Sequence, residues 1–232
     1  MKHIRALTFD LDDTLWDNRP VLLAAEQALY DWLGRHYPGI KTRYSLEDMW
    51  NLRRDLLRQT PELHNDVTTL RKKSLRIMAR SAGYDQQLVE PAFEIFLEAR
   101  HRITLFDDVL PALRTLRRSG YCLGTLTNGN ADVTRLGIGA LFDFSLTAAS
   151  TGKAKPHPRM FHEACQRANV SAAELAHIGD EPGTDLAGAQ AAGVTVIWMN
   201  RRGMEAEPGI GHHAEVSDMK ELLRLFDLNG SG

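Results

Sequence analysis

Ala6-Leu7-Thr8-Phe9-Asp10-Leu11-Asp12-Asp13-Thr14-Leu15-Trp16 is the stretch from which the rest of the chain is read. An apolar run, Ile4 and Ala6 to Phe9, stops at the carboxylates Asp10, Asp12 and Asp13. The run has the length and composition of a short buried strand, and the acids mark its end. Carboxylates this close repel one another, and burying them is costly unless a cation or a proton compensates. In an open parallel sheet, ligands bind in the crevice at the carboxyl ends of the strands. This strand end is therefore the first candidate active site.

Beyond Thr14 the period lengthens to three and four residues. Pro20 stands where a first helical residue would, followed by Leu22, Ala25, Leu29 and Trp32, and Pro38-Gly39 ends that helix. Ser45 with Asp48 has the form of a capping box opening a second helix, with Leu46, Met49, Trp50 and Leu57 apolar and Thr60-Pro61 as the break. Val67, Leu70, Leu75 and Met78 mark a third, with Gly83 just past its end. A fourth runs from about Asp85 to His101 around Phe93 and Phe96, with Pro91 at its start or at a kink. Four amphipathic helices with no strand between them predict a helical bundle over residues 16–103.

From Phe106 strands and helices alternate. Helices are expected over 108–119, 132–141, 158–169, 185–192 and 217–226, and strands over 121–126, 144–148, 175–178 and 194–198. Alternation of this kind predicts an α/β fold, a Rossmann-like, doubly wound parallel sheet covered on both faces. The first strand belongs to that sheet. The core is thus residues 1–15 and 104–232, and the bundle is an insertion between the first two strands. Asn229 to Gly232 reads as a loose tail.

Composition narrows the function classes. Hydrophobic residues at 43% and charged residues at 25% suit a soluble globular protein, and a formal charge of -2 offers no basic surface for nucleic acid or acidic lipid. Cys122 and Cys165 each lie in an apolar periodic segment and read as buried free thiols of a reducing compartment. The start lacks the apolar core of a signal peptide, and no stretch approaches a membrane span. A cytoplasmic protein, monomeric or weakly dimeric, is the expectation.

Four strand ends or adjoining loops carry polar signals: Asp10 with Asp12, Thr127-Asn128, Lys155, and Asp180 with Asp185. Each is weak alone, since a D-x-D is often a turn or a cap; four in this order carry much more. Asp10-Leu11-Asp12-Asp13-Thr14, Leu126-Thr127-Asn128-Gly129, Lys155-Pro156 and Gly179-Asp180-Glu181-Pro182-Gly183-Thr184-Asp185 resemble the four motifs of the haloacid dehalogenase (HAD) superfamily. The helical insert sits where that superfamily's type I cap does, as in subfamily IA. Trp16-Asp17-Asn18-Arg19 is similar to the branch that hydrolyses FMN and phosphorylated riboflavin precursors.

The resemblance implies a Mg²⁺-dependent phosphatase acting on a small phosphorylated metabolite through an aspartyl-phosphate. Its substrate would be FMN or 5-amino-6-(5-phosphoribitylamino)uracil. Asp10 would be the nucleophile; a carboxylate with an ordinary pKa of about 3.9 needs no helper base. A hard cation held by oxygen atoms would remove its repulsion for a phosphate dianion, with ligands from the Asp10 side chain, the Asp12 carbonyl and Asp180. Residues two apart on an extended chain point the same way, so Asp12 can face the same phosphate and act as general acid, then base. Thr127 and the Asn128 amide would bind phosphoryl oxygens. Lys155 would add a charge worth about 4 kcal/mol for a close pair at an effective dielectric of 20. Asp185 would orient Lys155 or a metal-bound water, and the cap would exclude bulk water and select the substrate.

Blander assignments exist for each residue. Asp13 suits a turn cap, Thr14 a loop-fixing hydroxyl, and Asp185 a helix N-cap; Lys153 competes with Lys155, and Glu181 reads as lining the site. His212-His213 cannot share one helix face, so a metal site there is disfavoured. His64, Arg71 and Lys72 read as surface, and Asn18 and Arg19 as plausible substrate contacts. Rival functions on the same fold are a 2-haloacid dehalogenase, a sugar phosphomutase, a phosphoglycolate or nucleotide phosphatase, and a non-catalytic binding protein. The dehalogenases of the superfamily use no metal and lack an acid where Asp12 stands.

Overall fold

The computed structural model describes residues 1–206 and 208–228. It divides into two compact units, Met1–Asp17 with the chain from Thr104 onward, and Asn18–Ile103. The residues expected as a loose tail, Asn229 to Gly232, lie outside the described part.

The first unit holds six strands, β1 (Ala6–Phe9), β2 (Cys122–Thr127), β3 (Phe144–Thr147), β4 (Leu175–Gly179), β5 (Thr195–Met199) and β6 (Ala214–Val216). They form one parallel sheet in the order β3-β2-β1-β4-β5-β6. The order reverses direction beside β1, which makes the carboxyl end of that strand the switch point of the fold. Phe9 pairs with Thr125 on one side and Ile178 on the other, so the ends of β1, β2 and β4 arrive close to level. All four β1 residues are buried, as a strand covered on both faces requires. Phe161, Met160, Leu175, Val196 and Trp198 build the core on one face. Gly124 has no side chain because a Cβ there would stand 2.3 Å from the Phe144 ring.

The helices of this unit are α6 (Val109–Arg118), α7 (Ala148–Thr151), α8 (Arg159–Ala168), α9 (Ala187–Ala191) and α10 (Met219–Leu225). Those of the second unit are α1 (Asn18–His36), α2 (Pro38–Arg43), α3 (Leu46–Gln59), α4 (Val67–Ser81) and α5 (Val89–Arg100). They surround a core of Ala25, Leu29, Leu33, Met49, Leu75, Met78, Phe93 and Phe96. The Ser45–Asp48 capping box forms as expected, satisfying backbone donors in both directions.

Several local expectations need correction. α1 ends at His36, just before Pro38-Gly39 as expected, and Pro38 in addition opens α2, a first-turn position where its missing N–H costs nothing. Asp85 caps a short 3₁₀ turn, Gln86–Leu88, ahead of α5, so the helix begins at Val89, with Pro91 in its first turn as expected. Leu22 and Trp50 are 36% and 38% exposed, because Val21, Ala25, Leu29 and Leu33 on α1, and Met49 and Leu56 on α3, carry the buried stripes. Residues 132–141 are turns and a 3₁₀ segment, Gly139–Leu141, rather than an α-helix. Asp132 takes the Thr134 N–H, and Gly137 turns into the left-handed region at φ 73°. The helical tract expected from 185 starts earlier, as a wide π-type turn over Pro182–Leu186. Strand β6 and helix α7 are too short to show a period. Cys122 and Cys165 are free but only half-buried, and burial pushes both thiols up, Cys122 to about 11. Among the described residues, no helix is long and apolar enough to cross a membrane.

Candidate active site

The Asp10 N–H donates to the Ile178 carbonyl at 2.8 Å, extending the β1–β4 ladder one residue past the strand and fixing the carboxyl group between β2 and β4. Lys155, 2% exposed, follows α7 and directs its Nζ to Asp10 Oδ1 at 2.6 Å, Asp185 Oδ1 at 2.5 Å and the Leu126 carbonyl at 2.7 Å. Three acceptors match the three donors of an ammonium. The Asn128 side chain holds the Lys155 backbone at both ends: its Nδ2 donates to the Lys155 carbonyl and its Oδ1 accepts the Lys155 N–H. That clamp is a role the sequence did not show. Thr127, 1% exposed, accepts the Gly129 N–H on its Oγ1 at 2.9 Å, closing the turn after β2.

From β4 come Asp180 and, one turn on, Asp185. The Thr14 hydroxyl donates to Asp180 Oδ1 at 3.0 Å, and the Trp198 indole N–H to the Asp180 carbonyl at 2.9 Å. Carboxylate oxygens of Asp10, Asp180 and Asp185 lie within 4.8 Å of one another. Asp185 is not an N-cap: Lys155 and His177 share its Oδ1, and its Oδ2 takes the Glu181 N–H at 3.2 Å. It lies directly over Gly179, where a Cβ would stand 2.3 Å from the Asp185 Cγ.

His177 and Thr8 complete a buried row that the sequence reading missed. His177 Nε2 stands 3.1 Å from Asp185 and its Nδ1 3.0 Å from Thr8 Oγ1. A carboxylate only accepts, so Nε2 carries the proton of the neutral ring and Nδ1 accepts from Thr8. The one signal was a polar residue inside an otherwise apolar strand, Leu175-Ala176-His177-Ile178, which reads equally well as a core histidine.

Burial dominates the electrostatics. It raises the Asp10 carboxyl well above its ordinary value, Lys155 opposing and Asp185, Asp180 and Asp12 adding to the rise. Asp180 is pushed up to about 7, by burial first and then by Asp185. At Asp185 burial is outweighed by the Lys155 ammonium and the His177 hydrogen bond, so its carboxyl falls well below the usual range. Lys155 is likewise held protonated by Asp10 and Asp185 against burial, whereas burial keeps His177 neutral. Nearby, Asp13 adopts φ 61° and pairs with Arg202 at 2.6 Å, while Lys153 and Glu181 are exposed. Asn18 and Arg19 open α1 in the helical unit. His213 accepts the Val196 N–H and serves the sheet edge.

A family model described as haloacid dehalogenase-like hydrolase matches residues 4–193. The chain belongs to that family. Among HAD relatives, it is 34% identical over 231 residues to the 5-amino-6-(5-phospho-D-ribitylamino)uracil phosphatase YigB of Escherichia coli (strain K12), covering 96% of each chain. It is 26% identical to the (S)-2-haloacid dehalogenase of Pseudomonas sp. (strain YL), over 98% of this chain and 96% of that one. Among solved HAD structures, a 2-haloacid dehalogenase from Pseudomonas syringae pv. Tomato DC3000 superposes with a TM-score of 0.91 at 40% identity, covering 97% of this chain and 98% of that chain.

Proposed function

We propose that this HAD hydrolase is a Mg²⁺-dependent phosphomonoesterase whose substrate is a phosphorylated flavin or flavin precursor, FMN or 5-amino-6-(5-phosphoribitylamino)uracil. The observation that carries the reading is Asp10 held 2.6 Å from the buried Lys155 ammonium, its carboxylate within 4.8 Å of those of Asp180 and Asp185. Once Asp10 and Asp180 are ionised, three carboxylates against one ammonium leave the cluster negative, and its oxygen donors fit a hard divalent cation. Asp10, the Asp12 carbonyl and Asp180 would hold it. When bound, it supplies positive charge that lets an anionic nucleophile approach a phosphate dianion.

The remaining chemistry belongs to the chain. Asp10 attacks phosphorus and forms an aspartyl-phosphate; Asp12 protonates the departing alkoxide and then takes a proton from the attacking water. Thr127, Lys155 and the Asn128 backbone amide bind phosphoryl oxygens as their charge grows. Asp185, tied to His177, keeps Lys155 pointed at Asp10. The helical unit is the part we assign to substrate selection.

The likeness to haloacid dehalogenases supports a second reading, halide displacement by the same Asp10. The two reactions differ in the leaving group. Halide departs without a proton, whereas an alkoxide requires one, and Asp12 provides it. The deciding experiment measures phosphate release from FMN and 5-amino-6-(5-phosphoribitylamino)uracil, with and without chelator, beside halide release from 2-chloropropionate. Phosphate release abolished by chelation is expected; halide release, or turnover indifferent to chelation, ends the proposal.

A further inference from the structure

The two residues that follow Asp12 are both gripped from one loop, residues 200–204, directly after β5. Arg202 pairs with the Asp13 carboxylate at 2.6 Å. Arg201 takes the next residue, its Nε donating to the Thr14 carbonyl at 3.0 Å. The loop is closed on itself by the buried Asn200, whose Nδ2 donates to the Met204 carbonyl and to Glu215 and whose Oδ1 accepts the Met204 N–H. The far side of the Arg201 guanidinium is held as well. Its Nη2 stands 3.2 and 3.1 Å from the two Asp108 oxygens, and its Cζ lies 4.2 Å from the Phe106 ring centroid. Asp108 also accepts the Met219 N–H, at the start of α10, at 2.7 Å. The Arg201 and Asp108 side chains are 14% and 11% exposed.

An ion pair that only tied this loop to α6 and α10 would be complete with Nη2 on Asp108. The Nε bond is additional, and it lands on the residue that touches Asp180. Thr14 is fully buried, and its hydroxyl donates to Asp180 Oδ1 at 3.0 Å. A β-branched side chain has few rotamers, so the hydroxyl goes where the Thr14 backbone goes. That backbone follows Asp13, whose φ of 61° is a left-handed conformation that a non-glycine residue keeps only where its surroundings impose it. The Leu15 N–H bond to the Leu11 carbonyl closes the turn but does not fix the Thr14 carbonyl. Arg201 does.

We infer that Arg201 is a positioning residue of the candidate active site: by holding the Thr14 carbonyl it sets the Thr14 hydroxyl, and through it the Asp180 carboxylate, where a divalent cation is to be taken up. The assignment rests on Asp180 holding that cation, as the phosphatase reading has it.

The test is a double-variant cycle on the full-length chain, read by calorimetric titration with Mg²⁺ and no substrate present. Thr14→Val removes the hydroxyl, keeps the branched shape, and is expected to weaken Mg²⁺ binding about tenfold. Arg201→Lys keeps a cation for Asp108 but has no Nε–H for Thr14 and no plane for Phe106; acting one contact further out, it is expected to weaken Mg²⁺ binding about fivefold. Beside Thr14→Val, Arg201→Lys should add less than about twofold, because the connection is already cut. Leu116→Ala, a core truncation on α6, should lower the thermal melt and leave Mg²⁺ affinity within about twofold, which separates positioning from loss of stability. Should Arg201→Lys fail to fold, Asp108→Asn, which withdraws the charge behind the guanidinium, is expected to weaken Mg²⁺ binding about threefold, again with little added beside Thr14→Val. Undiminished Mg²⁺ affinity in the folded variant, a penalty that persists in full beside Thr14→Val, an equal loss in Leu116→Ala, or no Mg²⁺ uptake by the parent chain overturns the inference. Phosphate release from FMN by the unaltered enzyme, with and without chelator, separates the two claims. Release abolished by chelation while Mg²⁺ affinity ignores Arg201 sinks the inference alone, and Mg²⁺ binding that follows the cycle without phosphate release sinks the phosphatase reading alone.

Discussion

Lys155 and Asp185 form a buried ion pair, Nζ to Oδ1 2.5 Å, with both side chains 2% exposed. The same ammonium reaches Asp10, so it is the one cation that offsets three neighbouring carboxylates among the described residues. Breaking a buried pair from one side costs about 3–5 kcal/mol, because the remaining charge keeps its burial and loses its partner.

Lys155→Met is therefore expected to lose roughly that much stability at neutral pH and about 10²–10³-fold in phosphate release. The stability deficit should shrink in acid, where the abandoned carboxyls take up protons. Urea melts near neutrality and near pH 5, with turnover beside them, check this. A variant as stable as the parent at neutral pH would remove Lys155 from the electrostatic centre.

Asp12→Asn tests the proposed transfer of a proton from Asp12 to the leaving group. Loss of a general acid costs about 10²–10⁴-fold where the leaving alkoxide is basic and far less where it departs readily. Release from FMN should fall over that range, with a much smaller loss for p-nitrophenyl phosphate. Equal losses on both esters would show that Asp12 does something other than protonate.

A cation held by the Asp10 and Asp180 carboxyls would compete with protons. Asp180, raised to about 7, and Asp10, raised well above its ordinary value, hold protons in the folded protein that the unfolded chain gives up near 3.8. Between about pH 4 and 7 the folded state binds more protons, so these two groups make stability fall as pH rises. His177, kept neutral by burial, pulls the other way below its ordinary 6.5, since the unfolded chain then binds the extra proton. That opposing effect is the same with or without cation, so the difference between the two conditions reports the carboxylates. Millimolar Mg²⁺ should raise Tm more at about pH 8 than at about pH 5, where protons occupy the ligands. An increment that does not grow with pH contradicts cation binding by these carboxyls.

Gly179→Ala probes the surface on which Asp185 rests. The added methyl would meet the Asp185 Cγ at 2.3 Å and its Cβ at 2.5 Å, so Asp185 must move off Lys155. Overpacking of this kind costs about 1–3 kcal/mol. The expected result is that loss in a denaturant melt together with a fall in kcat larger than any change in KM. Full activity in a destabilised variant would make Gly179 a packing residue only.

What the sequence determined by itself was whatever depends on neighbours along the chain. The strand at 6–9 and the alternation after Phe106 follow from local period and composition, and so does the capping box at Ser45. The four polar segments at strand ends were legible because a parallel sheet gathers the carboxyl ends of its strands on one edge, whatever the exact register. What tertiary structure alone decided is which atoms meet across long separations. Lys155 rather than Lys153 is the buried ammonium, Asn128 spends its side chain on the Lys155 backbone, and His177 stands behind Asp185. Nor does a helical period show that Glu26, Arg53 and Arg71 turn inward, since charged residues ordinarily face water. Their burial becomes visible only when three helices bring opposite charges within 2.8 Å, because attraction falls off with distance in space and not along the chain.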